Sequence, residues 1–346
     1  MNKEILIDKL AREHSLTAEE YGGLIESATP SLADYAAAAA DKLRRKYYGT
    51  DVYIRGLIEV GNICRNDCLY CGIRASNKHC DRYLLTEEQI AECCREGYRL
   101  GFRTFVLQGG EGAFPIDAVC SVVSEIRKSY QDCAITLSLG EYPRDDYKRM
   151  FDSGADRYLL RHETADKDHY KKLHPSSMSF ENRRRCLYDL RDIGFQVGCG
   201  FMVGSPFQTV ETLVKDLKFI EEFKPDMCGI GPFIPQKNTP FKQMPAGTAD
   251  LTIYLLSLIR LLQPNILLPA TTALGSIKKD GRLKGILAGA NVVMPNLSPP
   301  DVRSKYALYD NKSSWGAESA QNLHLLRQEI HSIGYNVVQA RGDIIK

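Results

Sequence analysis

Cys64, Cys68 and Cys71 are spaced C-x3-C-x2-C on one short stretch running from Asn62 to Gly72. Three thiolates from one loop can hold three corners of a 4Fe-4S cube and leave the fourth iron without a protein ligand, which makes that iron a place for chemistry. Soft thiolates select iron-sulfur clusters, zinc or Cu(I). Structural zinc takes four protein ligands, and the nearest fourth candidates, His79 and Cys80, lack zinc-finger spacing. The chain has eleven cysteines, an odd number with no disulfide framework in view, so the spacing reads first as metal or redox chemistry in a reducing compartment.

Further along, Gln108, Gly109, Gly110 and Glu111 follow an apolar run; the two glycines permit close approach of backbone to a ligand. The segment from Arg157 to Glu163 is charged where a strand is expected. Side-chain alternation puts Arg157, Leu159, Arg161 and Glu163 on one face, with Tyr158, Leu160 and His162 on the other. If the first set faces an interior, its charges need partners, which are either one another in a salt-bridge network or an anionic ligand. His162 reads as a packing residue. Met202 and Met294 end later apolar runs, where a lone methionine usually fills a core. Thr136, Thr271 and Thr272 offer hydroxyls near strand ends, and Tyr306 and Tyr309 would share one side of a helical turn.

These groups need a scaffold that gathers strand ends. The first fifty residues read as helices, and the basic stretch Lys42 to Lys46 as a solvated helical face. After them, strand-like segments near Tyr53–Val60, Thr104–Gln108, Ala134–Leu139, Arg157–Glu163, Gln196–Val203, Met227–Gly231, Ile266–Thr271 and Ala290–Met294 alternate with helical periodicity. Thr86 and Gln89 look like a capping box, Gln208 to Phe223 is amphipathic, and a helix is expected from Phe180. Eight such units predict an α/β fold, a (β/α)8 barrel, with an N-terminal helical extension over 1–50 and the barrel with a C-terminal helical segment over 51–346. The cysteines then follow the first barrel strand, on the carboxyl-end face where barrel enzymes build active sites. The charge of +2, from 45 Lys and Arg against 43 Asp and Glu, gives no electrostatic reason to bind nucleic acid. No apolar run is long enough for a membrane, and the N-terminus does not resemble a secretory signal, so a cytoplasmic location is expected.

The cysteine spacing, with Tyr70 just before the third cysteine, resembles the radical S-adenosylmethionine (SAM) superfamily. That resemblance implies a 4Fe-4S cluster whose open iron is chelated by SAM, reductive cleavage to a 5'-deoxyadenosyl radical, and carbonyls of the Gln108–Glu111 run accepting from the SAM amino group. The resemblance narrows with the runs Arg157 to Thr164, Ser179 to Arg183, Gly229 to Pro235, Pro269 to Gly275 and Gly289 to Asn296. They look like the HydE family of FeFe-hydrogenase maturases, covering the chain from about residue 50 almost to residue 310. HydE-like proteins imply Glu163 and Arg183 at the polar groups of SAM, and Met202 and Met294 near its adenosyl part. They also imply Arg157, Arg161, Thr136, Thr271, Thr272, Tyr306 and Tyr309 around an interior cavity. The implied substrate is a cysteine-bound iron carbonyl-cyanide precursor made by HydG, with HydF and an electron donor as further partners. Gly109 and Gly112 depart from the serine and aspartate of many HydE proteins. No cysteine lies beyond Cys228, so one cluster is expected.

Three other readings stay open on sequence: a methylornithine-synthase-like mutase acting on an amino acid, another HydE-like paralogue, and a noncatalytic iron-sulfur carrier. Neighbouring genes separate the enzymes, and reductive SAM cleavage separates them from the carrier.

Overall fold

The computed structural model describes residues 3–313 and 316–345. Its first barrel strand is interrupted at Arg55 into Asp51–Ile54 and Gly56–Gly61. From Gly56–Gly61 the parallel sheet passes in order through Thr104–Gly109, Ala134–Ser138, Arg157–Leu159, Gln196–Cys199 and Met227–Cys228. Bridges Met227↔Leu267 and Pro269↔Val292 carry it on to Val292–Val293, which pairs with Tyr53 and Ile54 and closes the barrel. Parallel strands are covered on both faces and need apolar residues pointing outward. Ile58, Val60, Phe105, Leu107, Ile135 and Leu137 bury that face in a core shared with the helices Glu87–Leu100 and Ile116–Ser129.

Helix entries follow local chemistry. Thr86 accepts from Gln89 N while the Gln89 side chain accepts from Thr86 N, and Gly101 ends that helix in the left-handed region at φ 98°. Thr209 opens Val210–Phe223 with the same reciprocal pair, to Thr212, and Ser179 caps Phe180–Ile193 by accepting from Asn182 N.

The late strands are shorter than expected. The run Ile266–Thr271 makes isolated bridges only: Pro269 has no N–H to donate, and Leu268 N donates to the Asn291 side chain (2.9 Å). The fourth strand stops at Leu159, and Glu163 lies at φ 65°. Tyr306 and Tyr309 share no helical turn, because the helix Pro300–Arg303 ends before them.

The N-terminal helices Lys3–Glu13, Ala18–Glu26 and Pro30–Tyr48 lie against the barrel's outer helices: Tyr21 OH donates to Glu221 (3.1 Å) and Tyr254 OH to Leu24 O (3.2 Å). Within the basic stretch Arg44 is buried rather than solvated, donating to Gly49 O and lying 4.2 Å from the centre of the Tyr335 ring. The chain returns to the floor of the barrel through Leu323–Ser332 and the strand Asn336–Val338, which pairs parallel with Asp51–Ile54. Among the described residues no helix is long and apolar enough to cross a membrane.

Candidate active site at the carboxyl end of the barrel

The cysteine loop leaves the first strand at Gly61 and is folded by its own polar residues. Asn62 Nδ2 donates to Asp81 O and Lys305 O (both 2.8 Å). Arg82 donates to Ile73 O (2.8 Å) and Asn62 O (2.6 Å), and Arg74 Nε pairs with Asp67 (2.8 Å). The loop then lies directly on the end of the second strand. A Cβ at Gly110 would come 2.0 Å from Ile63 O, and one at Gly72 would come 2.0 Å from Ala307 O, so both positions need glycine. The glycine of the Gln108–Glu111 run therefore seats the cysteine loop.

Burial raises the Cys68 thiol well above its usual value and the Cys71 thiol to about 12. The neighbouring thiols add to both shifts, Glu163 does the same, and Arg183 opposes it at Cys68, so the three sulfurs, Glu163 and Arg183 share one electrostatic environment. Among the described residues no three His, Cys, Asp or Glu side chains converge on a point as the ligands of a single ion would. In a cube each cysteine holds its own iron, a different requirement.

Around the loop runs a network the sequence does not announce. Arg183 Nε lies 2.7 Å from Glu141 Oε1 and its Nη2 4.0 Å from Glu111. Arg65 pairs with Glu111 (2.8 Å) and donates to Glu141 O (2.8 Å), and Asn182 donates to Glu141. Tyr70 is hydrogen-bonded to His174 Nε2 (3.1 Å), whose Nδ1 meets Tyr170 O (3.0 Å). Burial pushes His174 down to about 3, so the ring is neutral: Nδ1–H donates to Tyr170 O and Nε2 accepts from Tyr70. Asn182 beside Arg183 was the one available signal; Glu141, His174 and Arg65 belong to no spacing pattern.

Inside the barrel, Arg161 Nη2 lies 3.4 Å from Glu163 Oε2. Arg161 Nε and Nη2, Glu163 Oε2 and Thr136 Oγ1 are buried with no hydrogen-bond partner. Buried polar atoms of this kind are the ones a polar ligand completes. Gln108 Nε2 meets Tyr306 OH (3.4 Å), Thr271 donates to Ile230 O (3.4 Å) and Thr272 to Glu318 Oε2 (3.1 Å). Burial raises the Tyr309 hydroxyl above its usual value, and Ser276 hydrogen-bonds to it.

One expectation is corrected. Arg157 is not beside Arg161 in the chamber. It sits at the amino end, fully buried, donating to Asp343 Oδ1 (2.6 Å), Arg341 O (2.9 Å), Gln196 Oε1 (3.1 Å) and Thr104 Oγ1 (3.3 Å), which is the internal-network alternative. The two methionines lie in different surroundings. Met202 packs with Phe233, Phe241, Leu69 and Tyr70, whereas Met294 packs against Met227, Leu267 and Val292.

Comparison with known proteins completes the picture. The Radical SAM superfamily model matches residues 58–220. The [FeFe] hydrogenase maturase subunit HydE of Thermotoga maritima is 47% identical over 274 residues, covering 79% of this chain and 78% of that protein. The 3-methylornithine synthase of Methanosarcina barkeri is 28% identical over 305 residues, covering 88% and 86%. Among solved structures, methylornithine synthase superposes with a TM-score of 0.85 at 24% identity, covering 96% of this chain and 97% of its own. HydG does so at 0.80 and 20%, covering 96% and 75%. These two likenesses show the shared barrel fold.

Fold and family define a radical SAM enzyme, whose cofactors are a 4Fe-4S cluster and SAM. Within that superfamily the chain belongs to the HydE family. The residues present fit both groups: three thiols on one glycine-seated loop for the cluster, and the unpartnered polar atoms of Arg161, Glu163 and Thr136 for polar ligands.

Proposed function

We propose that this chain is a HydE-type maturase that acts on an iron carbonyl-cyanide cysteine precursor during assembly of the FeFe-hydrogenase H-cluster. Cys64, Cys68 and Cys71 would hold the cluster, with Tyr70 packed behind it. Backbone carbonyls of Gln108, Gly109, Gly110 and Glu111 would accept from the SAM amino group, Glu163 and Arg183 would anchor its polar end, and Met202 and Met294 would contact its adenosyl part. Cluster and SAM together supply a 5'-deoxyadenosyl radical. This chain's own residues bind, orient and exclude water: Arg161 and Thr136 would hold the anionic end of the substrate, with Thr271, Thr272, Tyr306 and Tyr309 lining the chamber. HydG would supply the precursor, HydF would receive the product, and a separate donor would reduce the cluster.

The observation that carries this reading is that Arg161 Nε and Thr136 Oγ1 are buried with no hydrogen-bond partner, in a chain that carries the three-cysteine loop and is 47% identical to HydE. A guanidinium presents fixed donors suited to carboxylate or cyanide. Anaerobic incubation with reductant, SAM and the HydG product tests it: substrate-dependent formation of 5'-deoxyadenosine and consumption of the precursor are expected. The likeness to 3-methylornithine synthase favours a second reading, rearrangement of a free amino acid. SAM cleavage stimulated by an amino acid and indifferent to the HydG product would select it.

A further inference from the structure

Beyond the last barrel strand, residues 304–313 cross the carboxyl-end mouth as a strap. Two loops and a short helix, Thr272–Ile277, hold it. Lys305 O accepts from Asn62 Nδ2 (2.8 Å) and Leu308 O from Gly72 N (2.9 Å), both on the cysteine loop. Asp310 N donates to Pro235 O (3.3 Å) and its carboxylate accepts from Lys237 N (2.9 Å), while Ser313 N donates to Ser276 Oγ (3.4 Å).

From the end of this strap Lys312 turns inward. Its ammonium pairs with Glu59, a carboxylate with no exposure on the first strand, and stands 5.1 Å from the centre of the Tyr306 ring. The other Glu59 oxygen accepts from Asn296 Nδ2 (2.9 Å). Glu59 and Gln108 are register partners on neighbouring strands, and Gln108 reaches the Tyr306 hydroxyl. One ion pair therefore joins the strap to the chamber wall and sets the strap's tyrosine against it.

The energetics of such a pair are asymmetric. Burying both charges costs about what their attraction returns, whereas removing one partner leaves an uncompensated buried charge. The strap's other ties are hydrogen bonds to surface segments and one solvent-exposed ion pair, Lys305 to Asp81 (3.0 Å), which adds little because water screens it. A closure that depends on one asymmetric pair has two positions: Lys312 in, with the mouth covered, or Lys312 out.

We propose that Lys312 is a positioning residue that closes the reaction chamber. Its pairing with Glu59 holds the strap and Tyr306 over the mouth, and substrate enters when the pair opens. The proposal rests on the HydE-type reading for what the chamber contains, and it concerns how that chamber is sealed. Sealing matters for radical chemistry because water and stray hydrogen donors divert the radical.

The test is hydrogen–deuterium exchange on the anaerobically reconstituted enzyme, read by mass spectrometry. In Lys312→Met and in Glu59→Gln, peptides covering 304–313 should exchange about tenfold faster, while the strand Ala134–Ser138 keeps wild-type protection. Lys312→Arg should restore slow exchange. The double variant Lys312→Ala/Glu59→Ala carries no unpaired charge and puts no apolar contact in the pair's place, so it keeps the question open to measurement if a single variant fails to fold, and it too should show the fast strap. Strap exchange at the wild-type rate in the folded variants overturns the proposal. As a functional readout, the ratio of 5'-deoxyadenosine formed to precursor consumed should rise several-fold in Lys312→Met and return in Lys312→Arg. A wild-type enzyme that ignores the HydG product would defeat the HydE-type reading, but strap exchange would still report on the latch.

Discussion

Arg157 and Arg161 are four residues apart in one strand run, on the same predicted face, and they have opposite surroundings. At the floor, Arg157 is saturated by Asp343, Arg341, Gln196 and Thr104, all brought together where the C-terminal strand returns. At the mouth, Arg161 Nη2 has Glu163 at 3.4 Å, and Nε has no partner. In a parallel barrel, height along the strand separates residues that hold the fold from those that meet a ligand. The outward face of the same run shows a third environment. His162 Nε2 lies 3.2 Å from the buried Asp216, and its Nδ1 accepts from Gly200 N (3.2 Å). Burial pushes this histidine down to about 3, so it is a neutral brace behind Arg161 and Glu163.

If mouth residues serve chemistry and floor residues serve the fold, variants at the two ends should fail differently. The largest effect is expected from Cys68→Ser, which should lose the 4Fe-4S absorbance and SAM cleavage while the chain stays folded; normal cluster content would remove Cys68 from the site. At the floor, Arg157→Ala should cost about 2–4 kcal/mol in urea unfolding, from lost charged hydrogen bonds and the cavity left behind. Arg161→Ala should stay within about 1 kcal/mol of wild type and still cleave SAM, but lose turnover of the precursor. An Arg161 variant that unfolds, or an Arg157 variant that folds normally and loses turnover, would break the comparison. Arg183→Ala should weaken SAM binding by about 10- to 100-fold, the range for hydrogen bonds to a charged group, as read by equilibrium binding to the reconstituted protein.

The smallest effect sharpens the floor. Asp343 is held down to about 2 from 3.8: burial opposes the shift, and Arg341 and Arg157 more than reverse it. A carboxyl with a depressed folded pKa contributes stability that is present above its unfolded value and lost as pH falls through the folded one. Because Asp343 is 40% exposed, the contribution is on the order of 1 kcal/mol after discounting for solvent. Wild type should therefore exceed Asp343→Asn in stability at neutral pH, and the gap should close between about pH 4 and 2. A gap unchanged over that window would show that the carboxylate's charge is irrelevant there.

The parts legible in the sequence are those decided by neighbours in the chain. The cysteine spacing and the Thr86 capping box each need only a few consecutive residues and both are seen in the structure, whereas the fourth strand ends at Leu159, short of Arg161 and Glu163. The run Ile266–Thr271 was less legible because Pro269 has no N–H for the ladder and Leu268 N bonds instead to the side chain of Asn291, twenty-three residues away. Arg157 was misplaced for a related reason: nothing near it shows that the chain's last residues return to the floor and bring Asp343.

By itself, then, the sequence determined that this chain would alternate strands and helices, carry three thiols on a loop after its first strand, and put charge inside its barrel. Local propensity, side-chain alternation and ligand spacing are properties of short segments and survive without the fold. Only the tertiary structure decided which charges are satisfied. Arg157 is matched by Asp343 and Glu59 by Lys312, whereas Arg161 Nε and Thr136 Oγ1 keep no hydrogen-bond partner. The physical reason is that the cost of a buried charge depends on what surrounds it, and those surroundings come from residues hundreds of positions apart that only barrel closure brings together.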